Sequence, residues 1–231
     1  MTSYPNTSGI LLALDCIIFG FDGKDIKLLL IKRNFEPEKG KWSLMGGFLE
    51  PNENLEDGAT RILYNLTGLK NIYVEQLSVY GNVGRDPVAR TVSIVFFALI
   101  NIDDHDEEAV KLHNASWISL NVRPSLIFDH NNMVVQATEH LRYKAALHPI
   151  GFELLPEQFT IPQLQKLYEA IYSTPVDRRN FSRKLLSTGL LIDTGSKNSQ
   201  SATKKATLYK LDATRYKEKF NSFWNFMPDS K

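Results

Sequence analysis

Four acidic side chains follow directly on a glycine pair: Glu50, Glu53, Glu56 and Asp57 come after Gly46-Gly47. Carboxylates grouped in this way suit a hard divalent cation, which takes oxygen ligands and prefers charged ones. A second group points elsewhere. Arg178, Arg179, Asn180, Ser182, Arg183 and Lys184 fall in one run, and Lys197, Lys204 and Lys205 come after it. Arg and Asn read base edges, and Lys neutralises phosphates, so this group suits a nucleic acid. Two other clusters carry less. Asp129-His130 would suit acid–base work, but no third partner accompanies the pair, and helix capping explains Asp129 better. Asp103-Asp104-His105-Asp106 reads as a solvated loop rather than a metal site.

The elements that must position these residues follow from periodicity. Leu55, Ala59, Ile62, Leu63 and Leu66 form a helical apolar stripe. Asn52 or Asn54 caps its start, Glu53, Glu56 and Asp57 favour the positive end of the dipole, and Gly68 ends it. Residues 10–21 and 25–33 are strands joined by a turn at Phe21-Asp22-Gly23-Lys24. Residues 72–82 and 90–102 are further strands, and the nearly all-apolar TVSIVFFALI predicts a central one. A loop with Arg85 and Asp86 lies between them, and a short strand is expected at Trp117–Leu120. A long helix opens at Phe128-Asp129-His130, with Met133, Ala137 and Leu141 inward. Pro149 and Gly151 mark a boundary, which divides the chain into residues 1–150 and 151–231.

The second part reads as a helix capped by Thr160, a break at Ser173-Thr174-Pro175, and a basic helix capped by Asp177. Phe181, Leu185 and Leu186 are its expected inward positions. Strands at 190–192 and 206–211 then flank a basic hairpin. This is the layout of a winged helix-turn-helix: the basic helix fits a major groove and the wing reaches phosphate. A small α+β appendage for protein contacts is the competing reading. Residues 216–227 form an aromatic helix that packs on the wing domain or in a dimer interface.

Charge supports two parts. The whole chain carries +1, but residues 1–150 hold 14 Lys/Arg against 18 Asp/Glu, and residues 151–231 hold 13 against 8. A basic second part meeting a polyanion fits this asymmetry, and a solvated lysine-rich tail is the alternative. The single Cys16 excludes an intrachain disulfide and reads as a buried small hydrophobe. The lack of a signal-peptide pattern and of a long apolar run leads us to expect a cytoplasmic protein without a membrane partner.

The stretch GFLEPNENLEDGATRILYNLTGL resembles the Nudix signature, G-x5-E-x7-R-E-U-x-E-E-x-G-U. Gly47, Glu53, Arg61, Leu63, Gly68 and Leu69 keep the frame, and Trp42, Met45 and Gly46 resemble its lead-in. Ile62, Asn65 and Leu66 stand where Nudix hydrolases carry metal-binding glutamates. The resemblance thus implies a kept scaffold, a lost metal site, no cofactor and no enzyme activity. Glu53 and Arg61 would brace the loop against the helix. The whole chain is similar to the NrtR family of transcription regulators, through EQLSVYGNVGRDP, IFDHNNMVVQA, FTIPQLQKLYEAI, NFSRKLL, GLLIDTG and ATLYKLD. Ala202-Thr203-Lys204-Lys205 departs from a Gly-Arg-Pro-like wing segment, which leaves that DNA contact open.

The NrtR resemblance implies an α+β chain: a Nudix-like mixed-sheet α/β/α sandwich, then a winged helix-turn-helix. It implies a homodimer on double-stranded operator DNA, controlled by a small-molecule effector. The loop and turn bordering the cleft, with nearby polar and aromatic residues, make Arg33, Trp42, Gly47, Glu50, Tyr80 and Arg90 the expected effector-binding set. An apolar Ile62/Leu66 face leaves no metal to screen a diphosphate, so the expectation leans to a pentose such as L-arabinose. An ADP-ribose-responsive regulator is the alternative. A hydrolase with ligands drawn from Glu50, Glu53, Glu56 or Asp57, and a non-catalytic protein scaffold, also stay open.

Overall fold

The structure is a computed structural model that describes residues 9–104, 110, 112–147, 154–198 and 206–224. Strand β1 (Leu11–Phe21) is the axis of the first part. It lies parallel to β6 (Thr91–Asn101) along its whole length. On its other side the neighbour changes midway. β4 (Met45–Phe48) pairs with Ala13–Cys16, and β2 (Ile26–Lys32) pairs with Phe19–Phe21. β3 (Trp42–Ser43) and β7 (Ala115–Ser119) pair with β2, and β5 (Glu75–Tyr80) borders β6. The nearly all-apolar β6 therefore has neighbours on both sides, as its composition predicts. The β1–β2 turn forms because Gly23 takes a left-handed φ of 84° and Asp22 Oδ1 accepts from the amides of Lys24 and Asp25.

Two helices cover the sheet. The stripe predicted for α1 (Leu55–Thr67) buries Ala59, Ile62 and Leu63 against Leu14, Cys16 and Ile18. Asn54 occupies its N-cap but gives its side chain to Asp57, and Gly68 ends it with φ 73°. The opposite face holds α2 (His130–Leu147), which buries Met133, Ala137 and Leu141 against Ile17, Phe19 and Phe97. Burial pushes the Cys16 thiol up, consistent with a small apolar core residue. Among the described residues no helix is long and apolar enough to cross a membrane.

The second part begins with α3 (Ile161–Tyr172), which carries a full capping box between Thr160 and Gln163. Ser173, in the left-handed region, ends it. Asp177 Oδ1 accepts from the Asn180 amide at 2.8 Å and starts α4 (Arg178–Ser187). β8 (Leu191–Lys197) and β9 (Thr207–Leu211) form the hairpin. α5 (Ala213–Trp224) follows, and its Arg215 reaches the Gly189 carbonyl at 3.3 Å. Phe181 and Leu185 of α4 pack inward, but Leu186 is exposed, contrary to expectation. It sits one residue past Leu185 and has turned away from α3. The boundary at Pro149–Gly151 and the wing tip with Lys204 and Lys205 lie outside the described residues.

One apolar cluster runs through both parts. Leu164, Leu167 and Ile171 of α3 belong to the same core as Met133, Leu141 and Ala145 of α2. Helix α2 thus has the sheet on one flank and α3 on the other. Leu141→Ala should destabilise the whole chain by about 2–5 kcal/mol, because the site cannot collapse from either side. Urea unfolding should show this as an earlier midpoint.

Candidate functional site

A cleft opens where β1 exchanges one neighbour for the other. Ala13 and Asp15 of β1 form its floor, with Ser43, Leu44, Gly46, Gly47 and Phe48 on one wall. Ile31, Lys32, Arg33 and Phe35 form a second wall. Arg85, Asp86, Phe128 and His130 enclose the rest. The glycine pair has separate reasons. A Cβ on Gly46 would run into Asp15 Oδ1, and one on Gly47 would lie 3.0 Å from Ile62. Close approach, and not a turn conformation, is what position 46 requires.

The cleft floor is a buried charge cluster. The Arg85 side chain is 4% exposed and forks onto Asp129, Nε to Oδ2 at 2.9 Å and Nη2 to Oδ1 at 2.8 Å. Asp15 Oδ2 lies 3.6 Å from the same nitrogen and accepts from the Ser93 hydroxyl. His130 places Nε2 3.7 Å from Asp15 Oδ1, while its Nδ1 accepts the Leu44 amide at 3.2 Å. That amide fixes the neutral tautomer with the proton on Nε2. Burial lowers the His130 pKa despite the pull of Asp15 and Asp129. The Asp129 carboxylate is therefore taken by Arg85, a role that adjacency to His130 does not reveal, while the residue keeps the expected N-cap position, its carbonyl accepting from the Met133 amide at 3.3 Å.

Six residues were expected to meet an effector, and two line the cleft: Arg33 and Gly47. The Arg33 guanidinium lies 3.8 Å over the Phe35 ring and donates to the Pro37 carbonyl at 2.6 Å. Burial lowers its pKa, against the opposing pull of Asp86 and Asp15. The other four are not among the lining residues. Trp42 packs on the core beneath Lys32. Glu50 faces Arg61 at 3.4 Å, and the Tyr80 hydroxyl donates to Gln136 at 2.8 Å. Arg90 reaches the Thr91 carbonyl at 3.2 Å. Residue type placed these four near the cleft. Their side chains are taken instead by Lys32, Arg61, Gln136 and the Thr91 carbonyl.

The donor set does not fit a divalent cation. Glu53 receives both forks of Arg61 and the Glu50 amide, which hold its carboxyl down at about 2. Arg61 also reaches the Phe48 carbonyl at 3.0 Å, so this pair braces the loop against α1. Ile62 lies buried under Gly47, and Leu66 lines the cleft. Among the described residues no three His, Cys, Asp or Glu side chains converge to hold a metal.

The basic face lies on α4. Arg178, Arg179, Asn180, Arg183 and Lys184 are exposed, and Ser182 is half-buried. Arg183 donates to Asn180 Oδ1 at 2.8 Å, which orders that pair along one side of the helix. Lys197 is exposed at the end of β8. No described carboxylate pairs with Arg178, Arg179 or Lys184.

Comparison with known proteins agrees with this division. Residues 10–134 match the model of the NUDIX domain, and residues 151–211 match that of the NrtR DNA-binding winged helix domain. The chain is 31% identical, over 93% of its length and 86% of the relative, to the ADPR responsive transcriptional repressor NtrR of Acinetobacter baylyi. Its fold matches Shewanella oneidensis NrtR complexed with a 27mer DNA at TM-score 0.75 and 31% identity, over 89% of this chain and 95% of that one. The NUDIX domain of the same protein complexed with ADP ribose matches at TM-score 0.52 and 30% identity, over 58% of this chain and 90% of that one. A Nudix sensor joined to a winged helix defines a class of DNA-binding regulator. This chain belongs to the NrtR family.

Two outcomes are expected. His130 is held neutral in the fold and takes a proton more readily when unfolded, so its contribution is present above pH of about 6.5 and is lost on acidification below it. Urea unfolding from pH 7.5 down to 5 should show that loss. His130→Asn, which keeps an acceptor for Leu44, should reduce that loss, while the slope from His140, whose pKa burial also lowers, should persist in both proteins. On the other face, Arg179→Ala or Arg183→Ala should weaken operator binding by about 1–3 kcal/mol if either reads a base. Lys204→Ala and Lys205→Ala should instead reduce the salt dependence in a titration series.

Proposed function

We propose that this protein is a cytoplasmic homodimeric repressor whose operator affinity falls when an ADP-ribose-like nucleotide occupies the Nudix cleft, and that it does not hydrolyse that nucleotide. The observation carrying this reading is a cationic, aromatic-walled cleft beside an apolar helix face. Lys32 and Arg33 border the cleft and can neutralise a diphosphate without a metal. Phe35, Phe48 and Phe128 line the cleft and supply aromatic surface for a base. The Acinetobacter relative's response to ADPR and the ADP ribose complex of the Shewanella domain support the same effector class. The pentose reading loses support, because Trp42, Glu50, Tyr80 and Arg90 are not in the cleft lining. Ile62, Asn65 and Leu66 leave no carboxylate at the three α1 positions where the Nudix signature has its glutamates, which supports a sensor over a hydrolase. Two winged helices in a symmetric dimer would read two half-sites.

The test is fluorescence anisotropy on the DNA upstream of the protein's own gene, at fixed salt and with EDTA. ADP-ribose should raise the apparent Kd about tenfold or more, L-arabinose and D-xylose should leave it unchanged, and two chains should bind each duplex. Relief by arabinose alone would restore a pentose effector. In a separate assay without EDTA, magnesium-dependent cleavage of ADP-ribose to AMP and ribose 5-phosphate would restore the hydrolase.

A further inference from the structure

The helix that closes the cleft at one end holds the winged helix at the other. His130 and the Arg85-bound Asp129 stand at the start of α2. Ala145 lies about 22 Å further along the helix, at 1.5 Å per residue. Its carbonyl is one of the last four of α2, which have no partner within the helix. The Tyr168 hydroxyl of α3 donates to it at 3.4 Å. One turn back, the Arg142 carbonyl accepts from the Tyr172 hydroxyl at 2.9 Å, and Arg142 Nε donates to the Ile171 carbonyl at 3.0 Å. Burial pushes the Tyr168 hydroxyl up to about 12, so it stays a donor at working pH.

The same two tyrosines support the DNA-binding helix. The Tyr168 ring meets Phe181 of α4 edge-on, with centroids 5.5 Å apart, and lies 6.3 Å from Tyr172. Glu169, between them, holds the turn into α4 by accepting from the Val176 amide at 3.0 Å. The basic face of α4 thus leans on an aromatic pair whose hydroxyls are fastened to α2.

We propose that Tyr168 and Tyr172 are positioning residues that fix α4 to α2 and carry the state of the cleft to the DNA-binding face. The inference rests on the effector reading above. A ligand that draws Arg85 off Asp129, or displaces His130, shifts the start of α2. A packed helix moves as a body, so its last turn shifts as well. The two hydroxyl bonds make α3, and with it Phe181, follow. Without them the rings still pack and the Arg142–Ile171 bond remains, but α3 is held less firmly on α2 and the shift is damped.

The experiment measures ADP-ribose affinity with and without saturating operator duplex, on the full chain. In wild type the two values differ by the coupling factor, which is the same whichever ligand is added first. In the Tyr168→Phe/Tyr172→Phe variant that factor should shrink about fivefold or more, while the free protein keeps its ADP-ribose Kd within about twofold. Tyr143→Phe, which removes an exposed hydroxyl from α2, should keep the wild-type factor. An undiminished factor in the double variant overturns the inference. Failure of wild type to bind ADP-ribose would instead remove the effector reading, and Asp129→Asn then decides the inference without a ligand. It loosens the start of α2, so it should shift operator Kd about threefold in the wild-type background and much less in the double variant. Equal shifts in both backgrounds, or none in either, would overturn it.

Discussion

A guanidinium almost wholly removed from water must be met by carboxylates, and the fold is arranged so that Arg85 meets two. Asp15 comes from the middle of β1, Arg85 from the loop before β6, and Asp129 from the residue before α2. Separate segments are thus pinned at one point on the cleft floor. The consequences spread outward. Asp15 takes the space beside β4, so position 46 accepts only glycine. Asp129 fixes the start of α2, and α2 lies in the apolar core shared with α3. The orientation of the cleft and that of the winged helix refer to the same rod.

The cleft and the DNA-binding face use charge in opposite ways. In the cleft, the buried charges are balanced by named partners at short range, which makes their geometry rigid and weakly sensitive to salt. On α4 the cations are exposed and mostly without carboxylate partners, so a polyanion can displace their counterions. Arg183 is held by a neutral amide, which orders it without neutralising it. The near-zero net charge of the chain conceals both regimes.

Much of the fold was legible in the sequence because periodicity reports which side of an element is buried. The stripe of α1, the Gly68 stop, the Thr160 capping box and the Asp177 cap all follow from local chemistry. The cleft floor was not legible in this way. Asp15, Arg85 and Asp129 are far apart in the chain, and only strand register brings them together. Asp129 and His130 were visible as a pair, but the missing third group was Arg85, in a loop that shows no periodicity. Trp42, Glu50, Tyr80 and Arg90 had suitable side chains, but none of them lines the cleft. Leu186 misled for a related reason, since a short helix offers too few turns to separate an inward residue from its neighbour.

Ile62 has a meaning for the history of such a domain. It fills the space beneath Gly47 and is 3% exposed. A glutamate placed at this position alone would put a carboxylate into the apolar cluster that holds Leu14 and Leu63, and burial would oppose its charge. The apolar side chain contributes to the core, so selection for stability retains it even where nothing selects against hydrolysis. The exchange therefore behaves as a ratchet. A chain with this apolar helix face could gain a carboxylate face only through a less stable intermediate, so packing alone resists the change.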